Sequence, residues 1–440
     1  MTHSTVRPGA DKPGTPDPAE IDVLDIAPIA IAVYDRGTDT LEILSGDENA
    51  EPSSHEARVL IREDGHTLGY REVTGSPFVP LDEQELHRLA QAEAAGLPGV
   101  QRAWTQGAGA GLSASLILCT MGRNPLLPRA VAAALAQTHN DLEVIVVDNA
   151  PATGDTRRAL AGIEDPRLRI VDEPRGGLSH ARNRGVAAAQ GEIIAFSDDD
   201  AQVHPEWMAS ILDVFAAAPA GQIGAVTGPV FPAQLRYPSQ FLFEDRGGFP
   251  KQVRPTVWAS APQPAAVRAL GDPGEGGPFF PLTTARVGAG VSMAYPRAVL
   301  SEMGEFDTAL GAGSLTKGGE DLDAFARVLR AGRAIITTPD AVVHHTHREN
   351  VAGLIAQSYG DGTGMAALLT KAVTHHPAAI ALLARRIPRI LRRIAPGSER
   401  VQGNAGSGLP MPPQLLRQEI RGFLRGPVLY AQARWATRAS

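Results

Sequence analysis

Three consecutive acids, Asp198-Asp199-Asp200, follow the apolar run that ends at Phe196. Like charges at contact distance repel, so this placement needs compensation. A divalent cation provides it: hard Mg²⁺ or Mn²⁺ takes oxygen ligands and shares them with substrate phosphates. The plainer alternative is an acidic turn capping the next helix. A second pair, Glu320-Asp321, precedes Leu322, Phe325 and Leu329, an apolar stripe at helical spacing. Acids there suit a helix start and also proton abstraction. His344, His345 and His347 form the densest histidine cluster. Strand alternation puts His345 and His347 on one face and His344 on the other. The spacing lacks the i, i+4 pattern of helical zinc motifs, which leaves a manganese or magnesium partner or structural histidines. Gly176-Gly177 before Ser179–Asn183 reads as a loop entering a helix whose N-terminus can face phosphate or sugar. Arg182 there either pairs with a diphosphate or is solvated. Cys119 is the single cysteine, which excludes an internal disulfide framework and a multi-cysteine zinc site. Its place at a buried strand end makes it a packed thiol rather than a nucleophile.

These residues need elements to carry them. Ser115–Cys119, Leu142–Val147, Leu168–Asp172 and Glu192–Phe196 are apolar, β-branched runs, with helical stretches at 127–137, 155–161 and 179–189 between them. Such runs mark parallel strands covered on both faces, and the alternation predicts a doubly wound α/β sheet. In such sheets ligands bind beyond the carboxyl ends of the strands. Those ends deliver Thr120 and then Arg123, Asp148-Asn149, and Asp198–Asp200.

The segments CTMGR (119–123), LAQTHNDLEVIVVDN (135–149), GGLSHARNRG (176–185), GEIIAFSDDD (191–200) and GGEDLD (318–323), in this order, resemble the family 2 glycosyltransferases of GT-A fold. The resemblance covers residues 114–350. It implies inverting transfer of a sugar from a nucleotide-diphosphate donor with Mn²⁺ or Mg²⁺, in a metal-dependent glycosyltransferase of hexosyltransferase type. It implies that Asp148 contacts the nucleoside base, with Thr120 and Asn149 in the same pocket. Asp198 and Asp200 match the outer pair of a DxD motif. Asp200 would ligate the metal, Asp198 would contact ribose or metal, and Asp199 lies between them on the donor side. Asp321 matches the catalytic base, with Glu320 beside it, and His345 a histidine that completes the metal site. The family often carries a basic segment directly after Cys-Thr; here Met121-Gly122 precede Arg123. Two other functions share these features. One is a non-catalytic sugar-nucleotide or glycan-binding protein on the same fold. The other is a nucleotidyltransferase, which releases pyrophosphate where sugar transfer releases a nucleoside diphosphate.

The rest of the chain frames this domain. At about 100–200 residues per domain, 440 residues predict two to three units. Residues 1–20 are proline-rich and polar, read as a disordered lead without a secretory signal. Residues 21–104 pattern as a small α+β domain, with Asp64-Gly65 as a hairpin turn and a helix over Leu81–Ala95. Residues 105–113 form a Gly/Ala linker. Residues 231–285 are Pro/Gly-rich with scattered aromatics, an irregular stretch suited to an acceptor pocket. Residues 351–440 form a helical, basic C-terminal extension. No apolar run of about 18 residues occurs, which argues against a spanning helix.

Net charge is −7, but residues 1–110 hold 8 Lys/Arg against 19 Asp/Glu, and residues 371–440 hold 12 against 2. LARRIPRILRRI (383–394) is amphipathic and cationic. It either meets an anionic membrane surface or packs on the catalytic domain. No nucleic-acid recognition motif is present. The expected acceptor is a glycan, lipid-linked or small-molecule hydroxyl. The expected location is cytoplasmic, peripheral on the inner face of the membrane.

Overall fold

The computed structural model describes residues 18–24, 26–44, 54–277, 279–376, 379–380, 383–384 and 407–439. The predicted lead lies outside them except for Pro18–Asp22, a short helix (α1). Its Ile21 is buried with Leu242 and Val351, so the end of the lead is part of the fold. The arginines of 383–394 also lie outside the described residues.

The N-terminal unit pairs β1 (Ala30–Asp35), β2 (Thr40–Ile43), β3 (Glu56–Glu63) and β4 (His66–Thr74) in the order β2-β1-β3-β4. Asp64 and Gly65 both take positive φ, 49° and 79°, as a two-residue hairpin turn requires. Helix α2 (Glu83–Ala95) is capped by Asp82, which accepts from the Glu85 amide, and packs Leu86, Ala90 and Ala94 onto the sheet. The Gly/Ala stretch is not a loose linker: the Gly107 and Gly109 amides donate to Asp213.

The large sheet begins with β5 (Ala114–Thr120), α3 (Leu127–Leu135), β6 (Leu142–Asp148), α4 (Asp155–Ala159), β7 (Leu168–Asp172), α5 (Leu178–Ala188) and β8 (Ile193–Asp198). It continues through β9 (Ala201–Val203), α6 (Trp207–Ala216), β10 (Ile223–Thr227), β11 (Val230–Pro232), α7 (Pro238–Asp245), β12 (Thr256–Trp258), α8 (Ala265–Arg268) and β13 (Asp272–Pro273). Then follow β14 (Met293–Pro296), α9 (Arg297–Met303), α10 (Glu320–Arg330), β15 (Ala334–Thr337) and β16 (Val343–His345). Two long helices end the chain, α11 (Val351–His375) and α12 (Pro413–Ala439).

The nine-stranded order is β13-β12-β15-β10-β14-β8-β5-β6-β7. The run β8-β5-β6-β7 is parallel throughout, while β14 is antiparallel to both its neighbours. The sheet is thus mostly parallel, as expected. From β5 the chain winds outward through β6 and β7, then returns to the other side of β5 as β8. The strand order reverses there, and such switch points open a crevice for ligands.

The stretch 231–285 is more ordered than its composition predicts. It contains β11, α7, β12, α8 and β13. Phe231, Phe241 and Trp258 are buried core. Phe243 and Phe249 pack against His347.

Candidate active site

The β5/β8 switch point opens a cleft of about 750 Å³, lined among others by Thr120, Arg123, Gly177, Asp200, Gly313 and Arg348. Register explains how distant residues meet there. Thr120 pairs with Asp148 across β5/β6, and Cys119 with Asp198 across β5/β8. In a second, three-stranded sheet, β16 lies antiparallel to β9 with His345 opposite Ala201. The Thr346 amide donates to the Asp200 carbonyl at 3.0 Å. These bonds seat His345 beside the acidic turn.

One ligand atom each from Asp198, Asp200 and His345 lies within 4.8 Å of the others. His345 Nε2 is 3.1 Å from Asp200 Oδ1. Yet that buried oxygen makes no aligned hydrogen bond. Two groups at contact but misaligned fit a shared ion better than a mutual hydrogen bond. Two carboxylates and one imidazole suit Mn²⁺, with Mg²⁺ next. Burial pushes the Asp198 carboxyl up to about 6, and Asp200 adds to it against the opposing Arg182. A cation here removes that penalty. Burial also opposes ionisation of Asp200, but His345 outweighs it and the pKa falls below the usual range.

Behind His345 runs a chain of contacts that sequence reasoning missed. His345 Nδ1 is 3.0 Å from His347 Nδ1, and His347 Nε2 is 3.1 Å from Glu244 Oε1. Glu244 also meets Lys251 at 3.0 Å and Arg58 of the N-terminal unit at 3.3 Å. Burial would raise the Glu244 pKa, but His347 and Lys251 hold it down at about 2. Burial depresses the His347 pKa to about 4, leaving that ring neutral. An ionised Glu244 accepts from His347 Nε2, so His347 Nδ1 accepts from His345 Nδ1. Without an ion, burial opposes protonation of His345 but Asp200 outweighs it and raises the pKa; a bound cation would take the place of the Nε2 proton, in a metal–histidine–acceptor relay extended by one ring.

The remaining predicted residues divide by environment. Asp148 is fully buried; Oδ1 accepts from the Ala150 amide, while Oδ2 has no hydrogen-bond partner. Asn149 is engaged with backbone: its amide donates to the Glu173 and Arg175 carbonyls and its oxygen accepts from Gly177. It shapes the cleft wall. Asp199 accepts from Thr120 at 2.5 Å and from Asn124 at 2.9 Å, tying the β5 exit to the acidic turn. Arg123 is exposed at the cleft mouth.

Arg182 is not solvated. It is 2% exposed and donates to Glu320 at 2.8 Å, with Asp198 Oδ1 3.8 Å away. It therefore bridges the acidic turn and the Glu320-Asp321 pair across 138 residues. Burial pushes Glu320 up to about 7, with Asp321 adding to the effect. The half-buried Asp321 accepts from the Gly290 and Leu322 amides. Gly319, at φ 93°, starts α10, and a Cβ there would lie 2.9 Å from the Gly364 carbonyl oxygen. Only glycine delivers the acids at this angle. The α5 N-terminus is partly closed by protein, since the Leu178 amide donates to the Ala312 carbonyl. Burial lifts the Cys119 thiol to about 12, which keeps it protonated.

Residues 115–267 match the sequence model of Glycosyl transferase family 2. A glucosyl-dolichyl phosphate glucuronosyltransferase of Haloferax volcanii is 33% identical over 138 residues, 30% of this chain and 43% of the relative. The succinoglycan biosynthesis protein ExoM of Rhizobium meliloti is 29% identical over 247 residues, 54% of this chain and 68% of the relative. The chain thus spans less than half the length of the archaeal relative. Among solved structures, a mannosyltransferase from Pyrobaculum calidifontis in complex with GDP-Man and Mn²⁺ aligns over 78% of this chain and 79% of its own. It does so at 20% identity and a TM-score of 0.43.

Proposed function

We propose, from the premise that this chain is a family 2 glycosyltransferase over residues 115–267, that it transfers a sugar from a nucleotide-diphosphate donor to an acceptor hydroxyl with inversion. The observation that carries this is the convergence of Asp198, Asp200 and His345 at the switch-point cleft, joined through Arg182 to Glu320-Asp321. When bound by the first three, a divalent cation supplies Lewis-acid neutralisation of the diphosphate. Asp148, whose buried Oδ2 makes no hydrogen bond and lies 3.6 Å from Arg157, is the acid that would meet a base N–H. Asp321 accepts the acceptor proton as the hydroxyl oxygen bonds to the anomeric carbon. The bond from that carbon to the diphosphate oxygen breaks, and its electron pair leaves with the nucleoside diphosphate. Glu320, beside Asp321, is engaged by Arg182 at 2.8 Å, which leaves Asp321 as the proposed proton acceptor.

The acceptor is a lipid-linked or glycan hydroxyl; the dolichyl phosphate substrate named for the archaeal relative supports the lipid-linked class. On this basis the enzyme works in the cytoplasm against the inner face of the membrane. No helix among the described residues is long and apolar enough to cross it.

The test is a thermal-shift screen of UDP-, GDP- and TDP-sugars with and without Mn²⁺, followed by turnover of the stabilising donor. Asp321→Asn is expected to keep donor affinity and to lower kcat by about 10²–10⁴-fold. Full transfer by this variant would remove Asp321 as the base.

A further inference from the structure

Helix α12 has two unlike faces. Its inner face lies on α11 at backbone range: a Cβ at Gly422 would sit 2.3 Å from the Tyr359 carbonyl oxygen, and Gly426 is as closely opposed to Thr363 and Ala366. Tyr430 and Ala433 complete this buried side. At 100° per residue, the opposite face collects Ile420, Leu424, Val428 and Trp435. All four are exposed, Leu424 at 73% and Trp435 at 77%. Arg417, Arg421 and Arg425 run along the same side; they are exposed and have no ion-pair partner among the described residues. The helix's one acid, Glu419, points inward to Arg246 at 2.6 Å.

We infer that this outer face of α12 docks on an anionic lipid surface. Large apolar side chains beside a row of arginines, ending in a tryptophan, are what a helix lying in the headgroup plane presents. A second copy packed here would align two arginine rows without a matching acid, so charge favours lipid phosphate over self-association. The helix is also tied to the cleft. Tyr430 donates to Asp307 at 3.0 Å, and Lys371 of α11 meets the same carboxylate at 2.8 Å. Asp307 opens the segment that carries Ala312 and Gly313 to the cleft wall. The inference deepens the proposal of a membrane-held acceptor by naming the surface that brings the cleft to it.

The experiment uses the full chain without donor or acceptor, so it stands or falls apart from transferase activity. Vesicles of phosphatidylcholine with and without phosphatidylglycerol are co-sedimented with protein at low and high salt. Trp104, Trp207 and Trp258 are buried, so Trp435 fluorescence reports directly on the face. The expected result is binding to phosphatidylglycerol vesicles with a blue shift and quenching by brominated lipid. The double variant Leu424→Asp/Val428→Asp should lose at least tenfold in partitioning with an unchanged circular dichroism melt. Arg417→Gln/Arg421→Gln/Arg425→Gln should abolish the preference for the anionic lipid. Salt-insensitive or absent binding overturns the inference. So does a concentration-dependent dimer, seen by sedimentation velocity, that Leu424→Asp dissolves.

Discussion

His347 lies behind the proposed metal ligand His345, so any effect it has on the site must pass through that ring. Replacing it with phenylalanine keeps a ring against Phe243 and Phe249 but deletes both nitrogens. His345 then loses the acceptor that orients it. His347→Phe is expected to weaken Mn²⁺ binding by about 10–100-fold, read by calorimetry on the donor-free protein. Unchanged affinity would detach His347 from the metal centre. The candidate ligand His345 stands out in HHTH as one of a cluster, because strand alternation separates its face from that of His344. Glu244 was not legible, since it sits 103 residues away in a stretch without periodicity. The burial of Arg182 was hidden for the same reason, as its partner Glu320 is distant in sequence.

At the level of elements, the strands were the readable part. Apolar runs such as LEVIVV can only be covered on both faces, and the acids at their ends then mark the open edge of the sheet. The short elements of 230–273 escaped because their apolar positions pack against other layers rather than along one face. Helix α7 shows what such an element does. It presents Glu244 to His347 and Lys251, which against burial hold its carboxyl at about 2, below the ordinary 4.5. A depressed carboxylate stabilises the fold above its unfolded pKa and ceases to do so as pH falls toward the folded one. The contribution, about 3 kcal/mol, is therefore present at neutral pH and lost between about pH 5 and about pH 2. Melting temperatures of Glu244→Gln should depend less steeply on pH across that window than those of the parent. Parallel slopes would contradict the assignment.

For the whole molecule, the N-terminal unit is a brace for the second sheet. Arg102 holds the buried Asp340 with two bonds of 2.7 and 2.8 Å, and His66 and the Thr67 amide complete its shell. Asp340 stands just before β16, the strand that carries His345. Arg102→Ala leaves a buried charge short of its main partner and is expected to cost about 3–5 kcal/mol in denaturant unfolding. Arg102→Ala/Asp340→Asn should recover part of this. If the single variant costs under about 1 kcal/mol, the contact is not structural.

The placement of His345 on β16 also bears on synthesis. A ribosome delivers the acidic turn early and this histidine only after most of the catalytic sheet has emerged. The brace that supports β16 precedes both in the chain. Chains that stop before β16 would carry only two of the three proposed ligands. A chain that stops short of His345 is expected to show no Mn²⁺-dependent turnover of a nucleotide-sugar donor. Emergence of β16, not the appearance of the acids, would complete the proposed site.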